Sequence, residues 1–178
     1  MRLMFRVAVL LLTLTACVGC DQLSKSAARA YLPRTAVVSL MGDTVRLEYA
    51  QNPGAFLSLG AALPKAARKA VFTFGIAAVV LCAFGIAIFA PGLGTFQRIA
   101  LTCISAAGLG NLIDRVVQDG YVTDFLNVGV GSLRTGIFNI ADLILMLAVA
   151  ALLFARPKAA DGARAQQRQQ LAYPGAPA

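Results

Sequence analysis

The chain contains no histidine, so acid–base chemistry near neutral pH must come from carboxyl, amine, phenol or thiol groups. Two segments repeat one polar pattern, in which Asn111 precedes Asp114 and Asn139 precedes Asp142 by three residues. Residues three apart share a face of a helix, so each segment, if helical, places an amide beside a carboxyl group. Arg115 follows Asn111 by four residues and joins the same face. These residues are the first candidates for a functional site.

Asp142 is the strongest of these candidates. It is the one charged residue of the apolar stretch 136–155, and a helix over that stretch places it about 9 Å along the axis. An ionisable side chain at that depth in a membrane is costly and is a functional candidate by default. A structural ion pair with Arg115 or Arg134 is the alternative. Asp114 can likewise pair with Arg115 and anchor a helix end.

Composition indicates which elements carry these residues. Of 178 residues, 58% are hydrophobic and 13% are charged, and the mean hydropathy is +0.73. Soluble domains carry about 25% charged residues, so the composition argues against a soluble globular protein, and it excludes a disordered chain. We predict a mainly α, polytopic membrane protein with four transmembrane helices over about 3–20, 70–91, 95–114 and 136–155. Residues 1–155 then form one transmembrane domain, followed by a disordered cytoplasmic tail over 156–178.

The first apolar run also fits another interpretation. Arg2 and Arg6 precede an apolar stretch that ends in small residues, as in a secretory signal peptide. Residues 14–17, Leu-Thr-Ala-Cys, resemble the lipobox of bacterial lipoproteins, so the chain could be an anchored lipoprotein that begins at Cys17. Cys17 and Cys20 have CxxC spacing, but no second such pair and no histidine accompany them, so we predict no metal site.

The net charge of +8 and its distribution indicate partners and orientation. The chain has no basic stripe with interleaved aromatic residues, so we expect membrane lipids and no nucleic acid as partners. Four spans put both termini on one side, and the basic residues next to the first and last spans favour the cytoplasm. The polar candidates then gather on the extracytoplasmic side: Asp21, Lys25, Asn52, Asn111, Asp114, Arg115, Asp124, Asn139 and Asp142.

In two loop segments, polar and apolar residues alternate as they do in β-strands. Residues 44–49 place Val45, Leu47 and Tyr49 on one face, and residues 126–130 carry a weaker signal of the same kind. We predict that these extracytoplasmic loops pair in a small β-sheet on the membrane surface.

Four blocks of residues, in order and at span ends, resemble the bacterial lipoprotein signal peptidase (signal peptidase II) family. They are Asp-Gln-Leu-Ser-Lys at 21–25, Asn-Pro-Gly-Ala-Phe-Leu-Ser-Leu-Gly at 52–60, Gly-Leu-Gly-Asn-Leu-Ile-Asp-Arg at 108–115 followed by Gly-Tyr-Val-Thr-Asp-Phe at 120–125, and Phe-Asn-Ile-Ala-Asp at 138–142. The resemblance covers about 5–155. Phe56 and Leu57 depart from the family pattern, which usually has Ala and Phe there.

The resemblance implies an intramembrane aspartic protease that needs no cofactor. It assigns the catalytic pair to Asp124 and Asp142, although nothing about Asp124 alone singles it out. It implies substrate-binding positions at Asn52, Gly54, Asn111, Arg115 and Asn139, the last with a structural role as the alternative. It implies structural roles for Asp21, Lys25 and Asp114.

The implied reaction removes the signal peptide from diacylglyceryl-modified prolipoproteins by cutting before the lipidated cysteine. The implied location is the bacterial cytoplasmic (inner) membrane, and we expect a monomer. The main alternative is a small membrane transporter or proton-conducting protein, since intramembrane carboxyl groups also mark such paths. That alternative predicts polar residues in both halves of the spans.

Overall fold

The computed structural model describes residues 3–53 and 64–154. The helices are α1 Leu3–Tyr31, α2 Lys65–Phe89, α3 Thr95–Val117 and α4 Ile140–Phe154. The strands are β1 Val38–Leu40 and β2 Val45–Asn52 between α1 and α2, and β3 Val122–Val130 and β4 Leu133–Arg134 between α3 and α4. The fold is therefore mainly helical with a small sheet built from loop segments, which confirms the predicted class.

Three described helices are long and apolar enough to cross a membrane: Leu3–Tyr31, Lys69–Phe89 and Thr95–Val117. The described part of α4 is also apolar and covers 15 residues. α2 ends just before Pro91 and Gly92, as predicted, and Gly92 adopts a φ of 76° in the turn to α3. A positive φ costs glycine little, so Gly92 allows the chain to reverse its direction here. α3 then runs back along α2.

The residues inside the bundle are smaller than those on its outside. The buried core is rich in alanine, including Ala87, Ala106, Ala107 and Ala141. Large apolar side chains are exposed instead, among them Leu12, Phe74, Leu81 and Leu153. Membrane helices associate through close packing of small residues, because lipid already surrounds large apolar groups. This distribution agrees with lipid as the surrounding medium.

α1 is longer than the span predicted from hydropathy. The predicted span ends at residue 20, whereas the helix continues to Tyr31. Asp21 and Lys25 lie in the additional turns and are buried against α3 and α4, so their polarity does not end the helix. Pro33 follows two residues after the helix and disfavours helical backbone at the residue before it.

α4 begins later than the stretch 136–155 suggests. Phe138 still pairs with Leu126 in a β-bridge, and the helix begins at Ile140. Asn139 caps its first turn, because the backbone N–H of Asp142 donates to Asn139 Oδ1 at 3.0 Å. Asp142 therefore lies in the first turn of α4, and the depth of about 9 Å predicted from an earlier helix start is wrong.

The sheet is antiparallel with strand order β1-β2-β3-β4. β2 and β3 form its centre, with Ala50 opposite Asp124 and Asn52 opposite Val122. The predicted pairing of the two loops is thus confirmed. The first half of β3 is buried beside the helix ends, whereas β1 is exposed. The sheet therefore brings β3 next to the starts and ends of the helices.

Candidate active site

Asp124 on β3 and Asp142 on α4 meet around one asparagine. The side chain of Asn139 donates from Nδ2 to Asp124 Oδ1 at 2.6 Å. Its backbone N–H donates to Asp142 Oδ2 at 3.1 Å. Asn139 is fully buried and Asp124 is only 3% exposed, so water screens this arrangement little. The structure thus brings together the two carboxyl groups that the resemblance singles out.

Two further asparagines contact the remaining carboxyl oxygens. Asn52, at the end of β2, donates from Nδ2 to Asp124 Oδ2 at 3.0 Å. Asn111, on α3, donates from Nδ2 to Asp142 Oδ1 at 3.1 Å. Each carboxyl oxygen of the pair therefore accepts a hydrogen bond from an N–H group. At Asp124 these donors favour the ionised form, whereas burial and the neighbouring acid oppose it.

The balance of these effects at Asp124 favours the protonated form. Burial raises the pKa of this carboxyl group from 3.8 to about 6, and the nearby charge of Asp142 adds to the rise. The hydrogen bonds from Asn52 and Asn139 and the charge of Lys25 act in the opposite direction. A carboxyl group poised near neutral pH in a buried site is typical of acid–base chemistry.

Arg115 brings a positive charge to the pair. Its side chain is buried, and Nη1 donates to the backbone oxygen of Asn111 at 3.2 Å. The guanidinium lies close enough to Asp114, Asp124 and Asp142 to attract all three carboxyl groups. Arg115 therefore belongs to the site, as the position of its motif on α3 predicts.

Lys25 of α1 forms the centre of an adjacent buried cluster. Its Nζ lies 2.8 Å from Asp21 Oδ2 and 3.5 Å from Asp114 Oδ2, and it donates to Asn111 Oδ1 at 2.8 Å. Asp21 Oδ1 accepts the backbone N–H of Ala141 at 2.9 Å. We call Lys25, Asp21 and Asp114 the Lys25 cluster. It connects α1 to α3 and to the first turn of α4.

Three further residues, Gln22, Thr123 and Arg29, contact Asp114 of the Lys25 cluster and were not predicted as site residues. Gln22 donates to Gly110 O at 3.0 Å and to Asp114 Oδ1 at 3.3 Å. Thr123, fully buried, donates its backbone N–H to Asp114 Oδ2 at 2.9 Å and accepts from Arg29 at 3.2 Å. A signal for Arg29 was present, because positions 21, 25 and 29 are spaced by four and share a helix face.

Gly110 allows the Lys25 cluster to approach α3. A Cβ atom at this position would lie 2.5 Å from Asp21 Oδ2, far inside contact distance. The glycine in the sequence Gly-Leu-Gly-Asn at 108–111 is therefore a close-approach position for the α1 carboxyl group.

Other predicted residues lie outside this site. Gly54 falls outside the described residues, as do Phe56 and Leu57. Arg134 lies on β4, opposite Gly129 near the far end of β3, and contacts Asn127 Oδ1 and the backbone oxygen of Asp43. Within residues 3–53 and 64–154, no group of three His, Cys, Asp or Glu residues is placed to hold a metal ion.

The fold and the site define a multi-pass membrane protein with a buried carboxyl pair beside a small sheet. Residues 13–156 match the family model described as signal peptidase (SPase) II. The chain belongs to the signal peptidase II family, and membership of this family makes it a protease. The resemblance inferred from the four blocks is confirmed, and the transporter interpretation loses its support.

Individual relatives agree with the family model. The lipoprotein signal peptidase of Treponema denticola is 33% identical over 68% of this chain and 73% of its own length. That of Bifidobacterium longum is 33% identical over 83% of this chain and 77% of its own length. That of Streptococcus pneumoniae is 35% identical over 85% of this chain and 92% of its own length.

Solved structures support the fold. Two structures described as bacterial membrane enzymes have TM-scores of 0.71 and 0.73 and are each 22% identical to this chain. Each comparison covers 83% of this chain, and 86% or 91% of the solved chain.

Proposed function

We propose that the protein is an aspartic endopeptidase that removes the signal peptide from diacylglyceryl-modified prolipoproteins and cuts before the lipidated cysteine. The observation that carries this proposal is the convergence of Asp124 and Asp142 on Asn139. The substrate class comes from the lipoprotein signal peptidases that the chain resembles.

The chemistry follows from two carboxyl groups in one buried site. Two such groups cannot both ionise cheaply, so they share one proton. The ionised group takes a proton from the attacking water, while the protonated group donates a hydrogen bond to the scissile carbonyl. The proton held by the pair then reaches the departing amine. The titration belongs to the pair, so neither residue has a fixed acid or base role.

The surrounding residues position the substrate. Asn52, Asn111, Arg115 and Asn139 contact or surround the pair, and Gly54 belongs with them by resemblance. A guanidinium such as that of Arg115 can bind a peptide carbonyl or a lipid phosphate. Asp21, Lys25 and Asp114 hold the helices in register. No metal or organic cofactor takes part in this scheme.

The depth of the site fits a substrate anchored by acyl chains. Asp142 lies in the first turn of α4 and Asp124 on the neighbouring strand, so the pair is at the end of the bundle. A diacylglyceryl cysteine keeps its chains in lipid and its peptide bond near the interface. We place the enzyme in the bacterial inner membrane as a monomer, with residues 1–155 as the peptidase domain. Both termini, including the tail over 156–178, are cytoplasmic and the site is extracytoplasmic.

Cleavage of a diacylglyceryl-modified prolipoprotein by purified protein in detergent tests the proposal. Asp124→Asn and Asp142→Asn should each lower kcat by about a thousandfold, because each removes one acid–base group. Asp119→Asn is the matched control, since Asp119 pairs with Lys69 through an exposed salt bridge. It should cleave like the wild type.

Folding of each variant is checked by size exclusion and thermal unfolding. Full activity in either folded site variant would remove the carboxyl pair from the mechanism. A folded wild type that leaves the lipidated substrate intact would overturn the proposed substrate class.

A further inference from the structure

We propose that Lys25 is a positioning residue for the carboxyl pair, because its ammonium group orients the side-chain amide of Asn111 so that the N–H end faces Asp142. This inference deepens the proposed function and rests on it. It gives Lys25 a role in the reaction in addition to its structural contacts within the Lys25 cluster.

The side-chain amide of asparagine is nearly symmetric in shape. Its oxygen and nitrogen ends have nearly the same shape, so only the hydrogen-bonding neighbours determine which end points where. Lys25 Nζ lies 2.8 Å from one end of the Asn111 amide. An ammonium group donates and never accepts, so that end must be the oxygen. The N–H end then points at Asp142 Oδ1, 3.1 Å away.

Asn139 is oriented in the same manner by a different donor. The backbone N–H of Asp142 donates to Asn139 Oδ1 at 3.0 Å, which turns the N–H end of Asn139 to Asp124. The same Nδ2 also lies 3.2 Å from Asn111 Oδ1. Asn139 is thus oriented by the backbone of α4. Asn111 Oδ1 accepts from Asn139 as well as from Lys25, and Lys25 is the nearer of the two donors and the charged one, so its ammonium group has the larger effect on the orientation of Asn111.

Lys25 is itself held in place. It is fully buried and pairs with Asp21 one turn earlier on α1 and with Asp114 on α3. These two acids and Asn111 provide an acceptor for each of the three ammonium protons. The position of the Asn111 amide therefore follows from the position of α1.

The charged groups around the pair come from every element packed against it: Asp21, Lys25 and Arg29 from α1, Asp114 and Arg115 from α3, Asp124 from β3 and Asp142 from α4. Without Lys25, Asn111 can turn its oxygen to Asp142. Two oxygens in contact need a proton between them, so the turned amide favours the protonated carboxyl group. The acidic limb of kcat/KM against pH should then move to higher pH.

The test compares Lys25→Met/Asp21→Asn with Asp21→Asn alone. The double variant keeps the net charge of the Lys25 cluster and avoids a buried unpaired carboxylate. It should fold, raise the acidic limb by about one pH unit and lower kcat by about tenfold, with KM within about twofold. Asp21→Asn keeps the ammonium and adds one positive charge, so its acidic limb should stay in place or move to lower pH.

A folded double variant whose kcat and acidic limb match those of Asp21→Asn would overturn the proposal. The wild type and Asp124→Asn are assayed beside it. Failure of the proposed function would appear as activity retained in Asp124→Asn. If only the inference about Lys25 is wrong, Asp124→Asn will still lose its activity.

A second measurement uses the wild type and does not depend on the folding of variants. In protein labelled with 15N on asparagine side chains, the Asn111 amide protons should exchange slowly, and their shifts should follow the titration of the carboxyl pair. Fast exchange and a flat pH response of the Asn111 amide would also overturn the proposal.

Discussion

Of the buried cations, Lys25 and Arg98 occupy opposite ends of the helical bundle. Lys25 contacts α3 around residues 111–114, whereas Arg98 lies in the first turn of the same helix, about 20 Å away along its axis. Lys25 is fully buried and Arg98 is 6% exposed. Both positions are costly for a charge, so each cation must be compensated by its neighbours.

The compensation differs in kind. Arg98 donates hydrogen bonds to backbone oxygens that are close to it in sequence. These oxygens lie at and after the end of α2 and include those of Ala87, Ile88 and Ala90. These are the carbonyl groups that a helix C-terminus leaves without partners, and a cation suits them. Lys25 instead contacts carboxyl and amide side chains, one from its own helix and two from α3. Arg98 is therefore a helix cap, whereas Lys25 belongs to a network of side chains from several elements.

The comparison shows that burial of a charge does not by itself mark a functional site. The distinguishing feature is the convergence of titratable and amide side chains from several elements. At the Arg98 end, the partners are backbone atoms of one helix terminus and its turn. At the Lys25 end, they come from α1, α3, β3 and α4.

Removal of Lys25 and removal of Arg98 should destabilise the protein to different extents. Lys25→Met leaves Asp21 and Asp114 without their buried partner and should destabilise the protein by about 3–5 kcal/mol. Arg98→Met leaves backbone oxygens without donors and should cost about 1–3 kcal/mol. Unfolding of both variants in detergent measures the difference.

Activity separates the two variants further. Folded Arg98→Met should keep the wild-type kcat and pH profile, because none of its contacts reaches the carboxyl pair. A pH profile displaced in Arg98→Met would show that the two ends of the bundle are coupled and that Arg98 is more than a helix cap.

The pH dependence of stability tests the titration of Asp124 in the site itself. The pKa of Asp124 is raised from 3.8 to about 6, so its contribution to stability is complete below the lower value and is lost as pH rises through the higher one. The loss amounts to at most about 3 kcal/mol. The Tm of Asp124→Asn minus that of the wild type should therefore become more positive from about pH 4 to about pH 7 and then level off.

Asp119→Asn is again the control for this measurement. Its carboxyl group is exposed and paired with Lys69, so its Tm difference should stay nearly flat over the same range. A flat difference for Asp124→Asn as well would mean that the carboxyl group at 124 titrates in the folded protein as it does in the unfolded chain.

A substitution at a glycine gives the smallest expected effect. Gly110→Ala places a methyl group against Asp21 Oδ2 and should cost about 1–3 kcal/mol, because the Lys25 cluster leaves that carboxyl group little room to move. Gly85→Ala, on α2, meets nothing within 4 Å and should stabilise its helix by up to about 1 kcal/mol. Thermal unfolding of both tests this contrast, and equal losses would argue against a close approach at Gly110.

Much of the helical architecture could be predicted from hydropathy alone. Apolar runs mark spans because lipid tolerates few charges, and proline with glycine marked the end of α2. The extension of α1 to Tyr31 could not be predicted in this way, because Asp21 and Lys25 are compensated by partners on other helices. Hydropathy counts each residue alone and does not register such pairing.

The residues of the candidate site likewise fall into those that local spacing predicted and those that it did not. The spacing of Asn111 and Asp114, and of Asn139 and Asp142, was informative because helix geometry is local. Asp124 carried no comparable signal, since a single acid on a strand resembles any solvated acid such as Asp119. Only the resemblance to the family brought Asp124 into the prediction.

The sequence by itself determined the class of protein, the spans and the residues that share a helix face, because these depend on composition and on contacts a few positions apart. The tertiary structure decided which acids meet. Asn52 reaches Asp124 across 72 positions of sequence, and Asn111 reaches Asp142 across 31. Such contacts depend on the β2–β3 register and on the delayed start of α4. Both are products of packing between distant segments, which local spacing does not encode.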